Sequence, residues 1–316
     1  MDNIVKKEIT NADFSHKNIL GIKDLSPEDI LYILNLSEHY SRINKVKQKP
    51  EALLDGLTFL NIFLENSTRT RVSFEIAAKK LGGNVVNISV DGSSIKKGES
   101  FNDTMCTLNA MNPDILVLRY GEGYVAEQST EYMDCPIINA GDGRNEHPTQ
   151  ALLDALTIQQ YCGRLNGLNV AICGDIKHSR VARSNTRLLN KMGANVKLIA
   201  PNELLPSEPE AKTFTNMEEG LKDADIIMML RIQRERLEES LTLSETEYFD
   251  QYGLTKEKLK MAKPSAYIMH PGPMNRGVEI APDVADDPER SLILKQVENG
   301  VAVRMACLDI LTRHLR

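Results

Sequence analysis

The sequence has few cysteines, and they show neither of the patterns by which cysteine usually stabilises a fold. Cys106, Cys135, Cys162, Cys173 and Cys307 occur without a CxxC motif and without a Cys/His pair at zinc spacing. A scattered, odd-numbered set is typical of reduced thiols. We therefore expect small buried side chains here, with neither disulfides nor a bound metal.

The sequence also lacks the segments and the charge that bind membranes or nucleic acids. The N-terminal stretch MDNIVKKEIT has no apolar core of a signal peptide. No run approaches the roughly 20 apolar residues that cross a bilayer. The formal net charge of −6 argues against a nucleic-acid-binding surface, which normally shows as excess Lys and Arg. These absences predict a cytoplasmic protein that holds any anionic ligand with local clusters of donors.

Short apolar runs alternate with helical patterns along the chain, which is typical of parallel α/β sheets. The strand-like runs are 57–64, 84–90, 114–118, 136–139, 169–173, 195–200, 225–230 and 266–270, and helical spacing covers 71–81, 100–111, 149–161, 179–192 and 217–222. Two groups of four strands predict two domains. Because proline is favoured at the first helical position, we place the boundary at Pro148. The predicted domains are 1–147 and 148–290, and a final helix in 291–316 completes the first domain.

The most informative segment follows the first strand-like run. Ser67, Thr68, Arg69, Thr70 and Arg71 place three hydroxyls and two guanidiniums in five residues. Ser67 or Thr68 can cap the next helix, so that backbone N–H groups and the helix dipole point at one spot. Arg69 adds a planar donor fork suited to phosphate oxygens. This pattern predicts an oxyanion site without a Walker loop, and the simpler alternative is a helix cap with a solvated arginine pair.

A second group of polar residues follows the next strands. His147 and Gln150 lie three residues apart at a helix start, so they share one helix face. A carbonyl placed against these two side chains would be polarised. Alternatively, His147 only caps the helix. Arg119 ends a strand, where arginine by itself is weak support for any function.

Three further segments follow strands of the second group. Gly174 to Arg180 begins a helix but lacks the GxGxxG dinucleotide fingerprint. Arg231, Ile232 and Gln233 follow the run 225–230. In His270-Pro271-Gly272-Pro273, two prolines stiffen the backbone, so that carbonyl groups at 271 and 272 could accept hydrogen bonds from an amine.

Together these segments resemble the aspartate and ornithine carbamoyltransferases, and the resemblance extends from residue 66 to residue 280. STRTR is similar to the carbamoyl-phosphate signature of the family, and HPTQ is similar to its HPxQ signature. Residues 174–180 resemble GDxxxxR, and residues 231–233 resemble RxQ. Residues 270–273 resemble the HPxP segment of the aspartate branch, where ornithine enzymes carry a Cys-bearing segment.

The resemblance implies a carbamoyltransferase fold, with two doubly wound parallel-sheet domains and an active site between them. It assigns nine residues to carbamoyl phosphate: Ser67, Thr68, Arg69, Thr70, Arg119, His147, Gln150, Gly272 and Pro273. Five of these, Arg69, Thr70, Arg119, His147 and Gln150, are assigned to catalysis. Aspartate is assigned to Ser93, Lys97, Arg180, Arg231 and Gln233. The resemblance implies no cofactor and no metal, and it also implies a cis Gly272–Pro273 peptide bond.

The implied reaction transfers the carbamoyl group of carbamoyl phosphate to the α-amine of L-aspartate. Its products are N-carbamoyl-L-aspartate, an intermediate of pyrimidine biosynthesis, and phosphate. Ser93 and Lys97 match a loop that relatives share between subunits, so the resemblance implies a homotrimer with shared active sites. It leaves open a larger assembly with regulatory or other pyrimidine-pathway chains.

Two alternative functions are compatible with part of this pattern. An ornithine carbamoyltransferase shares STRTR and HPxQ but would need an acidic partner for a cationic side chain, and Arg231 and Lys97 argue against it. A phosphate-binding regulatory relative without turnover would be expected to lack Arg69, His147 or Lys97, and all three residues are present.

Overall fold

The computed structural model describes residues 14–46, 49–89, 98–232 and 243–316. Ser93, Lys97 and Gln233 therefore lie outside the described residues. The chain divides into two compact units: unit 1 comprises Met1–Leu156 and Val297–Arg316, and unit 2 comprises Thr157–Gln296. The division falls within the helix that begins at Pro148, and the boundary predicted at the start of that helix stays a prediction.

Unit 1 contains a four-stranded parallel sheet in the order β2-β1-β3-β4. Its strands are β1 Thr58–Phe63, β2 Asn84–Ser89, β3 Ile115–Tyr120 and β4 Ile137–Asp142. The helices that begin in this unit are α1 Pro27–Lys45, α2 Thr68–Lys80, α3 Phe101–Asn109, α4 Val125–Gln128 and α5 Pro148–Cys162. Apolar residues of β1, β3 and β4 pack with Met105 and Leu108 of α3 to form a buried cluster. This burial explains why the strands read as continuous apolar runs.

Unit 2 contains a five-stranded parallel sheet in the order β7-β6-β5-β8-β9. Its strands are β5 Asn169–Cys173, β6 Asn195–Ile199, β7 Lys212–Phe214, β8 Ile226–Met229 and β9 Tyr267–Met269. The remaining helices are α6 Arg180–Lys191, α7 Met217–Leu221, α8 Glu245–Tyr252, α9 Lys256–Leu259, α10 Pro282–Ala285 and α11 Ile293–Thr312. The prediction of four strands in this sheet is wrong, because β7 adds a three-residue edge strand that is too short to show a pattern.

The sequence interpretation missed α1, although its start carries a clear signal. Ser26 caps the helix by accepting a hydrogen bond from the backbone N–H of Asp29, whose carboxylate in turn accepts one from the N–H of Ser26. Pro27 occupies the first turn. These contacts form a capping box, which is a sequence-level marker of a helix start.

Cys106 is exposed, so the expectation of buried thiols is wrong at that residue.

In the described part of the chain, no helix combines the length and the apolar composition needed to cross a membrane.

Candidate active site

The loop between β1 and α2 presents the predicted oxyanion residues. Ser67 is the N-cap of α2, with extended backbone, and its side chain makes no capping hydrogen bond. The first N–H groups of a helix have no partner within the helix. Because the Ser67 hydroxyl does not satisfy them, they can bind an anion. Thr70 is buried, whereas Arg69 and Thr68 are exposed. Ser67 thus has the predicted cap position without the predicted cap bond.

Arg119 lies beside this loop, at the carboxyl end of β3. It pairs in register with Phe63, the last residue of β1. Its side chain is largely buried: Nη1 donates to the carbonyl of Ala140 at 3.3 Å, and Nη2 lies 3.3 Å from Oε1 of Glu65. The guanidinium is therefore held between the loop after β1 and β4, beside the residues predicted to bind an oxyanion.

His147 and Gln150 lie at the start of α5 and are both buried. The His147 carbonyl accepts hydrogen bonds from the N–H groups of Gln150 at 3.0 Å and Ala151 at 3.3 Å, so it opens the helix. The Gln150 side-chain amide donates to Oδ1 of Asp154 at 2.9 Å. An amide nitrogen carries two hydrogens, so a second hydrogen bond can reach a ligand.

The turn that leads to His147 is organised by Asp142, which sequence reasoning missed. Its buried carboxylate accepts hydrogen bonds from the N–H groups of Tyr124 at 2.8 Å and Glu146 at 2.9 Å. Gly143 has a φ of +46°, and a Cβ there would lie 2.6 Å from the backbone nitrogen of Gly123. The glycine-rich pattern was visible in the sequence, but the partners of the carboxylate were not.

A second missed residue is Arg304 on α11, whose side chain lies in the core of unit 1. Its guanidinium lies 5.0 Å from the ring centroid of Phe74 on α2, and a Cβ at Gly300 would lie 2.6 Å from its Nη1. Within the described ranges, its buried Nε has no hydrogen-bond partner. Burial lowers the pKa of Arg304 to about 10, and repulsion from Arg119 adds to this effect. A buried positive charge therefore acts on Arg119.

In unit 2, Arg180 is the first residue of α6, which follows β5. Gly174 ends the strand with a φ of +126°, and a Cβ there would lie 2.7 Å from the carbonyl oxygen of Leu230. Asp175 accepts hydrogen bonds from the backbone N–H of His178 at 3.2 Å and contacts its Nδ1 at 2.8 Å. His178, to which the sequence assigned no role, is thus a buried partner of Asp175.

Arg231 follows β8, the strand beside β5. The N–H of Leu230 donates to the carbonyl of Cys173 at 2.8 Å, which extends the pairing of the two strands. Arg180 and Arg231 therefore come from the carboxyl ends of neighbouring parallel strands, where ligands bind in open α/β sheets. Both side chains are partly exposed.

The loop after β9 completes this edge of unit 2. The Gly272–Pro273 peptide bond is cis, as predicted. The N–H of His270 donates to Oε1 of Gln296 at 2.8 Å, and the N–H of Gly272 donates to Nδ1 of His270 at 2.8 Å. Of the residues predicted for carbamoyl phosphate, Gly272 and Pro273 lie in unit 2, whereas the other seven lie in unit 1.

Both units match models of one protein family. Residues 17–160 match the carbamoyl-P binding domain of aspartate/ornithine carbamoyltransferase, and residues 166–311 match its Asp/Orn binding domain. The chain therefore belongs to the aspartate/ornithine carbamoyltransferase family. This confirms the predicted family and the predicted fold of two parallel-sheet α/β domains.

Within that family, the chain is similar over nearly its whole length to aspartate carbamoyltransferase catalytic subunits. It is 55% identical to that of Ruegeria pomeroyi over 306 residues, which cover 96% of this chain and 98% of the relative. It is 57% identical to that of Rhodospirillum centenum over 303 residues, which cover 95% of each chain.

Solved structures show the same fold. Aspartate transcarbamoylase from Trypanosoma cruzi in complex with N-(phosphonacetyl)-L-aspartic acid matches with a TM-score of 0.84 and 30% identity, covering 92% of this chain and 94% of that one. Ornithine carbamoyltransferase from Pyrococcus furiosus also matches with a TM-score of 0.84 and 30% identity, covering 92% of this chain and 95% of that one. The fold is therefore common to enzymes that use different acceptors.

Proposed function

We propose that this protein transfers the carbamoyl group of carbamoyl phosphate to the α-amine of L-aspartate, forming N-carbamoyl-L-aspartate and phosphate. The observation that carries the proposal is the presence in one chain of two kinds of anion site. Unit 1 has hydroxyls, helix N–H groups and Arg119 at the carboxyl ends of β1 and β3. Unit 2 has Arg180 and Arg231 at the carboxyl ends of β5 and β8.

In unit 1, the phosphate group of carbamoyl phosphate binds the N-terminus of α2 with the side chains of residues 67–70. Arg119, Thr70, His147 and Gln150 hold its carbonyl oxygen. As the amine attacks, negative charge develops on that oxygen, and fixed donors stabilise this charge more than they stabilise the ground state. Arg119 suits this role because Glu65 and Ala140 already fix its guanidinium. The enzyme supplies no nucleophile, since phosphate is the leaving group and can accept the amine proton.

In unit 2, the two carboxylates of aspartate bind arginine side chains. Arg180 and Arg231 each offer a planar fork that can hold a carboxylate with two hydrogen bonds. Ser93, Lys97 and Gln233, which lie outside the described residues, complete this site in the proposal. The carbonyl groups of Pro271 and Gly272 accept hydrogen bonds from the uncharged α-amine and direct it toward the carbamoyl carbon, while Gly272 and Pro273 border the carbamoyl phosphate.

The proposal assigns residues 1–147 and 291–316 to carbamoyl phosphate and residues 148–290 to aspartate, in a cytoplasmic homotrimer. Unit 1 has a surface suited to a second copy of the chain. β2 is an edge strand of the sheet, and the apolar side chains of Val72, Ile76 and Val86 on α2 and β2 are between 40% and 46% exposed. Apolar side chains beside an unpaired strand edge are typical of a contact surface.

Ornithine is the second candidate acceptor, because the matching fold from Pyrococcus furiosus is an ornithine carbamoyltransferase. The cationic side chain of ornithine would be repelled by Arg180 and Arg231.

The test of the proposed function is to supply the purified protein with carbamoyl phosphate and either aspartate or ornithine, and to measure carbamoyl aspartate and citrulline. We expect carbamoyl aspartate to be the main product. Citrulline as the main product, or no turnover with either acceptor, would refute the proposal.

A further inference from the structure

Unit 2 contains a buried carboxylate that the proposed reaction does not use. Glu279 is fully buried. Its Oε1 lies 3.2 Å from Nε2 of His270 and accepts a hydrogen bond from the backbone N–H of Asn275. Within the described ranges, its Oε2 has no hydrogen-bond partner. Burying a carboxylate is unfavourable unless several donors compensate it, so this group requires an explanation.

The hydrogen bonds of His270 show which of its two ring nitrogens accepts a hydrogen bond and which one donates. The backbone N–H of Gly272 can only donate, and it donates to Nδ1 of His270 at 2.8 Å. Nδ1 is therefore an acceptor, and the proton of a neutral imidazole must be on Nε2. Nε2 faces Oε1 of Glu279, so this oxygen accepts hydrogen bonds both from Nε2 of His270 and from the backbone N–H of Asn275. The loop after β9 is thus held through one donor chain that ends on Glu279.

Asn275 extends this network to the segment that carries Arg231. While its backbone N–H donates to Glu279, its side-chain nitrogen donates to the carbonyl of Ile232 at 3.1 Å. Ile232 directly follows Arg231. The backbone of Glu279 is itself fixed, because its carbonyl accepts a hydrogen bond from the N–H of Leu254 at 2.9 Å. One carboxylate therefore orders both the loop after β9 and the segment after β8.

We propose that Glu279 is a positioning residue for the amino-acid acceptor: it fixes the carbonyls of Pro271 and Gly272 and the backbone beside Arg231 without touching the substrate. This inference rests on the proposed function. Stability alone does not explain the arrangement, because buried charged groups can often be replaced by apolar ones without loss of stability. An ordered acceptor site explains why the charge lies beneath two segments that must keep a fixed geometry.

The test is Glu279→Gln, which keeps the size of the side chain and removes its charge. The two donors to Oε1 then face a neutral amide, so both segments lose their strongest restraint. We expect KM for aspartate to rise about 10- to 100-fold. KM for carbamoyl phosphate and inhibition by inorganic phosphate should change less than about twofold, since those ligands bind unit 1 in the proposal.

Glu247→Gln is the matched control. Glu247 lies in the same unit and is also a hydrogen-bond acceptor, in the exposed capping box of α8. The same chemical change there should lower the melting temperature slightly and leave KM for aspartate unchanged. A rise of KM in both variants would indicate a general loss of stability and would overturn the inference.

Asn275→Ala provides a second test that keeps the Glu279 charge. It removes only the side-chain bond to the carbonyl of Ile232, so KM for aspartate should rise less than in Glu279→Gln. If Glu279→Gln does not fold, this variant decides the question, and an unchanged KM for aspartate would overturn the inference. Failure of the unmodified protein to use aspartate would instead refute the proposed function, so the two failures are distinguishable.

Discussion

Replacing the buried Arg304 by methionine should stabilise the protein. Burial is the main cause that lowers the pKa of this guanidinium far below its ordinary value, to about 10. One pKa unit corresponds to about 1.4 kcal/mol, so burying the charge costs about 3 kcal/mol. Below pH 10 both the folded and the unfolded states are protonated; the cost is therefore complete at neutral pH and is relieved only as pH rises through about 10. Methionine keeps most of the apolar stem and removes the charge.

The gain in stability will be smaller than the full cost of burying the charge, because Arg304→Met also removes the contact between the guanidinium and the Phe74 ring. We therefore expect the free energy of unfolding to rise by about 1–2 kcal/mol, measured by urea denaturation at pH 7. KM for carbamoyl phosphate should rise about fivefold, since a charge that repels Arg119 also attracts an anion bound there. Arg304→Met should therefore raise the stability of the protein while it weakens the binding of carbamoyl phosphate.

Arg290→Met is the matched control for this prediction. Nε of Arg290 donates to the carbonyl of Ala266 at 2.8 Å, and Nη2 donates to the carbonyl of Lys263 at 3.2 Å. The same substitution at this paired arginine should lower the free energy of unfolding by about 1–3 kcal/mol. If Arg304→Met destabilises the protein as much as Arg290→Met does, the Arg304 guanidinium is satisfied in solution and the reasoning is wrong.

Three further predictions follow from the proposed site and from the fold. Arg231→Ala should lower kcat/KM for aspartate roughly 30- to 1000-fold, with little change in the binding of carbamoyl phosphate, and unchanged aspartate kinetics would contradict its role. Lys97→Ala and His147→Ala should each be nearly inactive, whereas oligomers formed by mixing the two should regain activity; hybrids that form without activity would argue against shared sites. Ser26→Ala should lower the free energy of unfolding by about 1 kcal/mol in urea denaturation, because it removes the cap of α1, and an unchanged value would contradict that assignment.

The strands could be predicted because strand-like runs are local patterns, and the candidate site residues were proposed from local patterns of the same kind. Each of the eight strand-like runs contains or overlaps a strand of the structure. The loop between β1 and α2 attracted the oxyanion prediction because arginines and hydroxyls follow a strand and precede a helix within one short segment, and the structure has that strand and that helix. The sequence pattern could not show the hydrogen bonds of this loop: Ser67 occupies the cap position, but its side chain makes no capping hydrogen bond.

The missed polar residues depend on partners that are distant in the sequence or in a different element. Arg304 is on the last long helix, and it contacts Phe74 on α2 only because the chain returns to unit 1 at Val297. As a sequence feature it is a cation within the apolar stretch 301–308, with no spacing that indicates a function. The effect of its charge could be interpreted only from its burial and from its Nε, which has no hydrogen-bond partner among the described residues.

Glu279 illustrates why the chemistry of a motif does not reveal what holds the motif in place. The residues 270–273 were conspicuous because two prolines flank a glycine, but the carboxylate that orders them is six residues beyond the second proline and fully buried. Its partners are a ring nitrogen and a backbone N–H, and backbone donors are present at every residue except proline. Sequence can therefore propose which groups meet the substrate, whereas the groups that restrain them are identified by burial and hydrogen-bond direction. For this reason Glu279→Gln is expected to alter aspartate use although the side chain never contacts aspartate.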